Sequence, residues 1–244
     1  MVSLSQVFLH NEQTLKRIAD ACRIKNDDTV FEIGGGKGQL TKYLLKSARK
    51  VYVCEIDKKL MPFLRELNAE IINKNFLQAV IPDDVTLIVG NIPYHLSGKI
   101  TEKVLKHKVR SVIMYQKEFA ERLNAQPGSR KYSRLSVLVQ CLSVPKILFG
   151  INRHDFKPVP KVDSCLVEFT PTKNDYDKGF FDFVKILFQF KNKSVKNALV
   201  SGRRHWSKVQ DKRELKDFIS KFTDKKVVSL SIQELKEQHG LFAV

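Results

Sequence analysis

Residues 29–38 read TVFEIGGGKG, an apolar, β-branched run that passes directly into a cluster of glycines. The run predicts a buried strand, and the helical pattern GQLTKYLLKSA at 38–48 places the glycines in a strand-to-helix turn. Glycine in such a turn lets a ligand approach the backbone closely, where the N–H groups at the start of the helix face it. The sequence therefore predicts an α/β fold with a ligand-binding turn.

The spacing of these glycines distinguishes between two classes of ligand. The dinucleotide fingerprint G-x-G-x-x-G fails from Gly34, because Gln39 stands where the third glycine should be. The pattern is instead E-x-G-x-G-x-G, through Glu32, Gly34, Gly36 and Gly38. It resembles the first motif of class I methyltransferases and so predicts S-adenosylmethionine as the cofactor. A tight turn without a ligand is the alternative.

Two further strand ends carry polar side chains that suit an adenosine. The second strand, Val51 to Cys54, is followed by Glu55, where an acid about 20 residues past the glycine turn can accept from both ribose hydroxyls. Asp57 is a better candidate for the cap of the next helix. The third strand, 70–75, ends at Asn75, whose side chain could meet the adenine. Open α/β sheets bind ligands at the carboxyl ends of their strands, so these groups should share one crevice.

The fourth strand opens onto the same crevice through VGNIPY at 89–94. Pro93 cannot donate to a sheet and biases Ile92 towards an extended conformation, which predicts a stiff turn. In that turn the Asn91 side-chain oxygen and the carbonyl of Ile92 or Pro93 can accept from an adenine amine and aim its lone pair at a methyl group. The ring of Tyr94 can stack on a base drawn out of its strand. We expect catalysis by positioning, without a general base; a simple strand exit is the alternative.

Other residues extend the candidate site. Phe156 is a candidate for the second face of the base, because two prolines stiffen its loop, HDFKPVPKVD at 154–163. Core packing is the alternative for Phe156. Cations around the loop at 126–132 are candidate phosphate contacts, with a solvated charged face as the alternative. These cations are Lys117, Arg122, Arg130, Lys131 and Arg134.

The composition favours a polyanionic partner. The chain has 244 residues, with 43 Lys and Arg against 26 Asp and Glu, a formal net charge of +17. Such a surplus favours nucleic acid over a membrane. The four cysteines form no CxxC pair and predict reduced, packed thiols rather than disulfides or a metal site. Without a signal peptide or a membrane-spanning run, we expect a soluble, cytoplasmic protein that binds no metal.

The pattern along the chain changes after Pro171. Before it, strands alternate with helices, which predicts a mainly parallel sheet covered on both faces. After it come amphipathic helical patterns without strand signals, FFDFVKILFQF, SVKNALVSGRR, KRELKDFISKF and SIQELKEQ. We therefore predict a catalytic domain at 1–172 and a small helical domain at 173–244.

Several stretches together resemble the KsgA-type rRNA adenine dimethyltransferases, most closely their archaeal branch. They are NIPY, YQKEFAERL, KYSRLSVLVQ, FKPVPKVDS and FQFKNKSVKNAL, and the match runs from Ser5 to about Leu199. The resemblance implies a class I methyltransferase fold, Rossmann-like with a mainly parallel seven-stranded sheet, and a small all-helical C-terminal domain. It also implies dimethylation of two adjacent adenines in the 3′-terminal hairpin of small-subunit rRNA in an assembling ribosomal particle. We expect a monomer, because nothing in the sequence calls for an obligate dimer.

The resemblance also implies a set of site residues. The cofactor contacts would be Val7, Leu9, Gly34, Gly36, Gly38, Glu55, Asn75 and Asn91, and the target base would lie among Asn91, Pro93, Tyr94 and Phe156.

This sequence departs from the family pattern in three places. The opening segment reads Ser5-Gln6-Val7-Phe8-Leu9 with almost no basic arm, so a contact at Val7 must come from its backbone. Asn75 stands where the family usually has Asp; its amide oxygen can accept from the adenine amine, more weakly than a carboxylate. His95 stands where the family commonly has Asn or Gln, and we interpret this substitution as having no effect on function.

Three other functions remain open. The first is a large-subunit rRNA adenine methyltransferase of the macrolide-resistance type, which shares NIPY and F-x-P-x-P but not the YQKE and KYSRLSV stretches. The second is an RNA-binding assembly factor that kept the fold and lost catalysis; the glycines, Glu55 and Asn91 argue against it. The third, a dinucleotide-dependent oxidoreductase, is disfavoured by the glycine spacing.

Overall fold

The structure is a computed structural model that describes residues 7–206 and 211–242. Ser5 and Gln6 of the opening segment lie outside the described residues. The strands are β1 (Phe8–Leu9), β2 (Thr29–Ile33), β3 (Lys50–Cys54), β4 (Glu70–Ile72), β5 (Leu87–Asn91), β6 (Arg110–Gln116), β7 (Ser143–Ile151), β8 (Phe156–Lys157) and β9 (Ser164–Pro171). The α-helices are α1 (Glu12–Ala21), α2 (Thr41–Leu44), α3 (Met61–Arg65), α4 (Ser97–Lys106), α5 (Lys117–Leu123), α6 (Arg134–Leu142), α7 (Lys178–Phe188), α8 (Val195–Gly202), α9 (Lys212–Ser220) and α10 (Ile232–Phe242).

The described residues divide into two compact units. The first contains residues 1–120 and 142–173, and the second contains 121–141 and 174–244, within the described ranges. The first unit carries the sheets, and the second carries the C-terminal helices around buried side chains such as Phe183, Leu187, Leu199 and Leu235. The predicted functional division between 1–172 and 173–244 stays a prediction.

A seven-stranded sheet organises the first unit, in the order β4-β3-β2-β5-β6-β9-β7. The pairs from β4 to β6 are parallel, and β9 runs antiparallel to both β6 and β7. Every residue of β2 is buried, as expected of a parallel strand that is covered on both faces. The prediction of a mainly parallel seven-stranded α/β sheet is confirmed. The strand order reverses between β2 and β5, which is the point where ligands bind in open sheets of this kind.

The elements around this switch point differ from the sequence prediction in two ways. The predicted helix at 38–48 is helical only over α2, and turns flank it on both sides. Asn91, which was expected in the turn after the fourth strand, instead belongs to β5 and lies opposite Met114 of β6. Asn91 is therefore held in the sheet rather than in a loop.

A second, two-stranded sheet has no counterpart in the prediction. β1 pairs antiparallel with β8, with Leu9 opposite Phe156. Two-residue strands have no periodicity that a sequence pattern could show. This pairing fixes the N-terminal segment beside the carboxyl ends of the large sheet.

All four cysteines are buried thiols, as predicted. Within the described ranges, no helix combines the length and the apolar character that a membrane span requires.

Candidate active site

A cavity opens at the carboxyl ends of β2 to β5 in the first unit. Among the residues that line it are most of the predicted site: Val7, Leu9, Gly34, Gly36, Glu55, Asn75, Asn91, Pro93 and Tyr94. Gly38 and Phe156 do not line it. The structure thus brings residues from five separate chain segments into one space, although their functional roles remain predictions.

The glycine turn lines the cavity and lies close to two neighbouring segments. Gly34 has φ +77°, and a Cβ at this position would lie 3.1 Å from the backbone oxygen of Asn91. Gly36 has φ +57°, and its Cβ would lie 3.3 Å from the ring of Phe8. Both positions therefore require glycine, because other residues rarely adopt this conformation and their Cβ would be crowded. A Cβ on Gly38 would meet Leu67 at 2.5 Å, so this glycine permits packing rather than facing the cavity.

Glu55 follows β3 directly and points its carboxylate at the glycine turn. The side chain is buried, with 6% of the residue exposed. Its Oε2 accepts from Gly36 N–H at 3.0 Å and its Oε1 accepts from Asp57 N–H at 2.9 Å. Each carboxylate oxygen keeps a further lone pair that can accept from a ligand hydroxyl. Asp57 caps the 3₁₀ turn at Lys58–Leu60 by accepting from Lys59 N–H, as predicted.

The side chain of Asn91 is oriented by the N-terminal segment. Its Nδ2 donates to the backbone oxygen of Val7, with 3.4 Å between the two atoms. The amide oxygen Oδ1 is therefore left to accept from a ligand. Val7 makes this contact with its backbone oxygen, because its side chain has no hydrogen-bonding group.

The residues after Asn91 form the predicted stiff turn. Pro93 has φ −65°, and a 3₁₀ turn follows at Tyr94–Leu96. The carbonyl of Pro93 already accepts from Leu96 N–H at 3.0 Å, whereas no described donor reaches the carbonyl of Ile92. Of the two backbone acceptors considered from the sequence, Ile92 is therefore the better one.

Tyr94 lines the cavity as a half-buried ring whose hydroxyl is anchored. The hydroxyl is 2.6 Å from Ser164 Oγ on β9. Burial raises the pKa of Tyr94, so the phenol stays neutral near pH 7. The ring is consequently held in place and carries no charge, as a stacking platform requires.

Phe156 lies in the hydrophobic core of the first unit, with only 1% of the residue exposed. The ring therefore packs in the core, which was the alternative interpretation of Phe156 from the sequence. To stack on a base, the ring would have to leave the core. Its candidate role in holding the base stays a prediction.

The candidate phosphate contacts are all exposed, but they do not form one cluster within a unit. Lys117 belongs to the first unit, whereas Arg122, Arg130, Lys131 and Arg134 belong to the second. Lys131 pairs with the carboxylate of Glu121, also in the second unit. A role in RNA contact stays a prediction for each of them.

Two further residues, to which the sequence assigned no role in the site, support the cavity. Glu32 lines it with 2% of the residue exposed, and its Oε2 accepts from Thr41 Oγ1 at 2.6 Å. Lys103 on α4 donates from Nζ to the carbonyls of Phe76 and Ala79. Glu32 could be found as the first letter of E-x-G-x-G-x-G, but nothing in the sequence links Lys103 to a turn so far away along the chain.

Glu32 is a buried titratable group of the site, and no cation among the described residues pairs with it. Burial is the main cause that raises the pKa of its carboxyl to about 8; the nearby Glu55 also raises it, and the Thr41 hydrogen bond opposes both effects. Between the ordinary value of 4.5 and about 8, the folded chain binds a proton here that the unfolded chain has released. Stability is therefore lost as the pH rises through this range.

We expect Glu32→Gln to remove this pH dependence, because the amide mimics the protonated acid and its oxygen can still accept from Thr41. The free energy of unfolding in urea, measured at pH values of about 5 and 8, should fall more steeply with pH in the wild-type chain than in the variant. Glu70→Gln, at an exposed carboxyl on β4, should leave the wild-type slope unchanged. Parallel pH profiles for wild-type and Glu32→Gln chains would show that Glu32 is ionised in the folded state.

Residues 7–206 and 211–242 contain no group of three or more His, Cys, Asp or Glu side chains that could hold a metal ion. The acceptors and ring described above suit the positioning of an amine.

Several known proteins are similar to this chain over most of its length. A family model described as ribosomal RNA adenine dimethylase matches residues 2–227. A probable ribosomal RNA small subunit methyltransferase A from Methanopyrus kandleri is 41% identical over 215 residues, which cover 84% of this chain and 77% of that protein. A dimethyladenosine transferase from Plasmodium falciparum has a similar structure, with a TM-score of 0.78, 28% identity, and coverage of 96% of this chain and 98% of that one. The 23S rRNA methyltransferase ErmE follows, with a TM-score of 0.68, 25% identity, and coverage of 97% and 100%.

Proposed function

Because this chain belongs to the ribosomal RNA adenine dimethylase family, we propose that it dimethylates the N6 amines of two adjacent adenines in the 3′-terminal hairpin of small-subunit rRNA. The methyl donor would be S-adenosylmethionine, and the substrate would be an assembling ribosomal particle. The observation that carries the proposal is the meeting of Asn91, Tyr94, Glu55 and the glycine turn in one cavity. We further propose that the protein acts as a cytoplasmic monomer.

The cavity has the groups that an S-adenosylmethionine site needs. When bound, this cofactor supplies an electrophilic methyl group attached to a positively charged sulfur. Glu55 would accept from its ribose hydroxyls, since both carboxylate oxygens are fixed by backbone N–H groups and each keeps a free lone pair. The positive φ angles of Gly34 and Gly36 leave the backbone bare on the cavity side, where the chain can approach the cofactor closely. Val7 and Leu9 would cover the cofactor from the N-terminal segment, and Asn75 would meet its purine.

The target amine would be held by two oxygen acceptors. The Asn91 Oδ1 accepts one N–H, because the Nδ2 of the same amide is engaged by Val7. The Ile92 carbonyl accepts the other, since the Pro93 carbonyl is already used within the turn. Acceptors on both N–H bonds localise the nitrogen lone pair, which ring conjugation otherwise withdraws. Fixed acceptors of this kind contribute mainly through orientation and electrostatic preorganisation.

The base itself would be stacked on Tyr94, whose ring is anchored through Ser164. Stacking of a flipped base on an aromatic ring tolerates many sequences and stabilises it by about 1–3 kcal/mol. Phe156 would complete the sandwich only if its loop shifted on RNA binding. The cations Lys117, Arg122, Arg130, Lys131 and Arg134, together with the net charge of +17, would supply contacts to the phosphate backbone.

The test is labelled methyl transfer to small-subunit particles that lack these methyl groups, followed by nucleoside analysis. The expected product is N6,N6-dimethyladenosine in small-subunit rRNA, with no label in protein-free large-subunit rRNA. Label in large-subunit RNA alone would assign the chain to the activity of ErmE. Cofactor binding without transfer to either RNA would identify an assembly factor that does not catalyse.

A further inference from the structure

Gln116, the last residue of β6, lies between the two groups that are proposed to hold the target base. In the large sheet, β6 lies between β5, which carries Asn91, and β9, which carries Ser164. Asn91 lies opposite Met114 of β6, and Ser164 lies opposite Gln116. Ser164 is the residue that anchors the hydroxyl of Tyr94. Gln116 is therefore placed between the proposed amine acceptor and the anchor of the stacking ring.

The pleat of β6 puts the side chain of Gln116 on the cavity face of the sheet. Side chains two residues apart in a strand share a face, and the register of β6 with β9 is regular up to Gln116. Met114 lines the cavity, whereas the alternate residue, Tyr115, is buried with its hydroxyl 2.7 Å from Thr101 Oγ1 on α4. Gln116 shares the face of Met114 and lies about 7 Å further along the strand, at the rim of the cavity.

The side-chain amide of Gln116 is available to a ligand. The residue is partly buried, and no hydrogen bond joins its side chain to any other residue within 7–206 and 211–242. Its backbone is held at both sides, by the pairing with Ser164 and by the next residue, because Lys117 N–H donates to the carbonyl of Asp163 at 3.1 Å. A partly buried amide without a partner in the chain is stabilised when a ligand supplies the missing hydrogen bond.

The target adenine has atoms that match such an amide. The Asn91 Oδ1 and the Ile92 carbonyl would take both hydrogens of the 6-amino group, which leaves the ring nitrogens N1 and N7 on either side of it. Each of these nitrogens has a lone pair and no hydrogen, so it can only accept. The atom of Gln116 that meets one of them must therefore be Nε2, the donor of the amide. An amide side chain is a frequent partner of adenine in nucleic-acid recognition.

We propose that Gln116 binds the flipped adenine by donating from Nε2 to N1 or N7, while Asn91 and Ile92 hold the amine. This inference rests on the proposed function. Stacking on Tyr94 alone leaves the base free to turn in its own plane, because every orientation presents the same flat face to the ring. The contact from Gln116 removes this freedom, so that the amine meets the methyl donor in one orientation.

Single-turnover methyl transfer to reconstituted small-subunit particles tests this contact. The 3′-terminal hairpin of their rRNA is synthetic and carries adenine, 1-deazaadenine or 7-deazaadenine at both target positions. With the wild-type chain, we expect one of the two deaza bases to react about tenfold more slowly than adenine, the difference expected for one lost hydrogen bond. Equal rates for all three bases with the wild-type chain would overturn the inference, whatever the stability of any variant.

The Gln116→Met variant separates this contact from the intrinsic reactivity of each base. Methionine keeps the length of the side chain but has no donor, so adenine should react about tenfold more slowly and the wild-type preference over the deaza base should disappear. Gln78→Met removes an exposed amide elsewhere in the first unit and should react as the wild-type chain does. Calorimetric binding of S-adenosylhomocysteine should be unchanged in both variants. The same preference among the three bases in Gln116→Met and wild-type chains would also overturn the inference.

The experiment separates this inference from the function beneath it. If the wild-type chain methylates adenine in these particles but its rates do not depend on Gln116, only the role of Gln116 is wrong. If the wild-type chain methylates no adenine in small-subunit particles, the proposed function is wrong as well.

Discussion

The Asn91→Ala variant is expected to lose at least about 100-fold in the rate of methyl transfer to small-subunit particles. Its Oδ1 is the side-chain acceptor that the cavity offers to the target amine, and alanine cannot replace it. Binding of S-adenosylhomocysteine should stay within about threefold of wild type, because Glu55 and the glycine turn would hold the cofactor without Asn91. The two measurements are single-turnover methylation and calorimetric titration.

His95→Asn is a suitable control for Asn91→Ala, because His95 is exposed in the same turn and has no part in the proposed chemistry. Its turnover should match that of wild type. Wild-type turnover by Asn91→Ala would show that the amine is held by other groups. Loss of both turnover and cofactor binding would mean that Asn91 mainly keeps the N-terminal segment in place.

The parts of the site that could be predicted are those whose signal is local in the sequence. The glycine turn and Glu55 each follow directly from a strand with a continuous apolar run, so their position at the sheet edge was evident. The turn at Pro93 was predicted for the same reason, since proline restricts the backbone around it.

The parts that could not be predicted depend on contacts between distant segments. The bond from Asn91 to Val7 joins residues 84 positions apart, and it decides which amide atom faces the cavity. The pairing of β1 with β8 and the contacts of Lys103 also join segments that are far apart in the sequence. The hydrogen bond from Leu77 N–H to the Asn75 side chain exists only once the turn has formed, so the sequence could not predict it.

Phe156 illustrates a different limit. Its loop carries two prolines, which indicated a fixed aromatic ring but not the direction in which the ring points. The antiparallel pairing of Leu9 with Phe156 places the ring in the core. The stiffness of the loop was therefore evident from the sequence, whereas the direction of the Phe156 ring, into the core rather than the cavity, was not.

The Glu55→Ala variant is expected to weaken the binding of S-adenosylhomocysteine by at least about 100-fold. Ligand hydrogen bonds to a charged group stabilise a complex by about 1.5–3 kcal/mol each, and the buried carboxylate would make two of them to the ribose. The substitution also leaves the N–H groups of Gly36 and Asp57 without their acceptor, so the free energy of unfolding should fall by about 1–3 kcal/mol. Urea unfolding and calorimetric titration measure the two effects separately.

Two further variants decide whether the loss in Glu55→Ala comes from ligand contacts or from damage to the fold. Glu55→Gln keeps the shape and one oxygen acceptor, so its affinity should fall between those of wild type and Glu55→Ala. Glu70→Ala removes an exposed carboxylate from β4 and should bind S-adenosylhomocysteine as wild type does. If Glu55→Gln bound as tightly as wild type, the ribose could not depend on the charge or on both oxygens of Glu55. The cofactor would then have to be held chiefly by the backbone of the glycine turn.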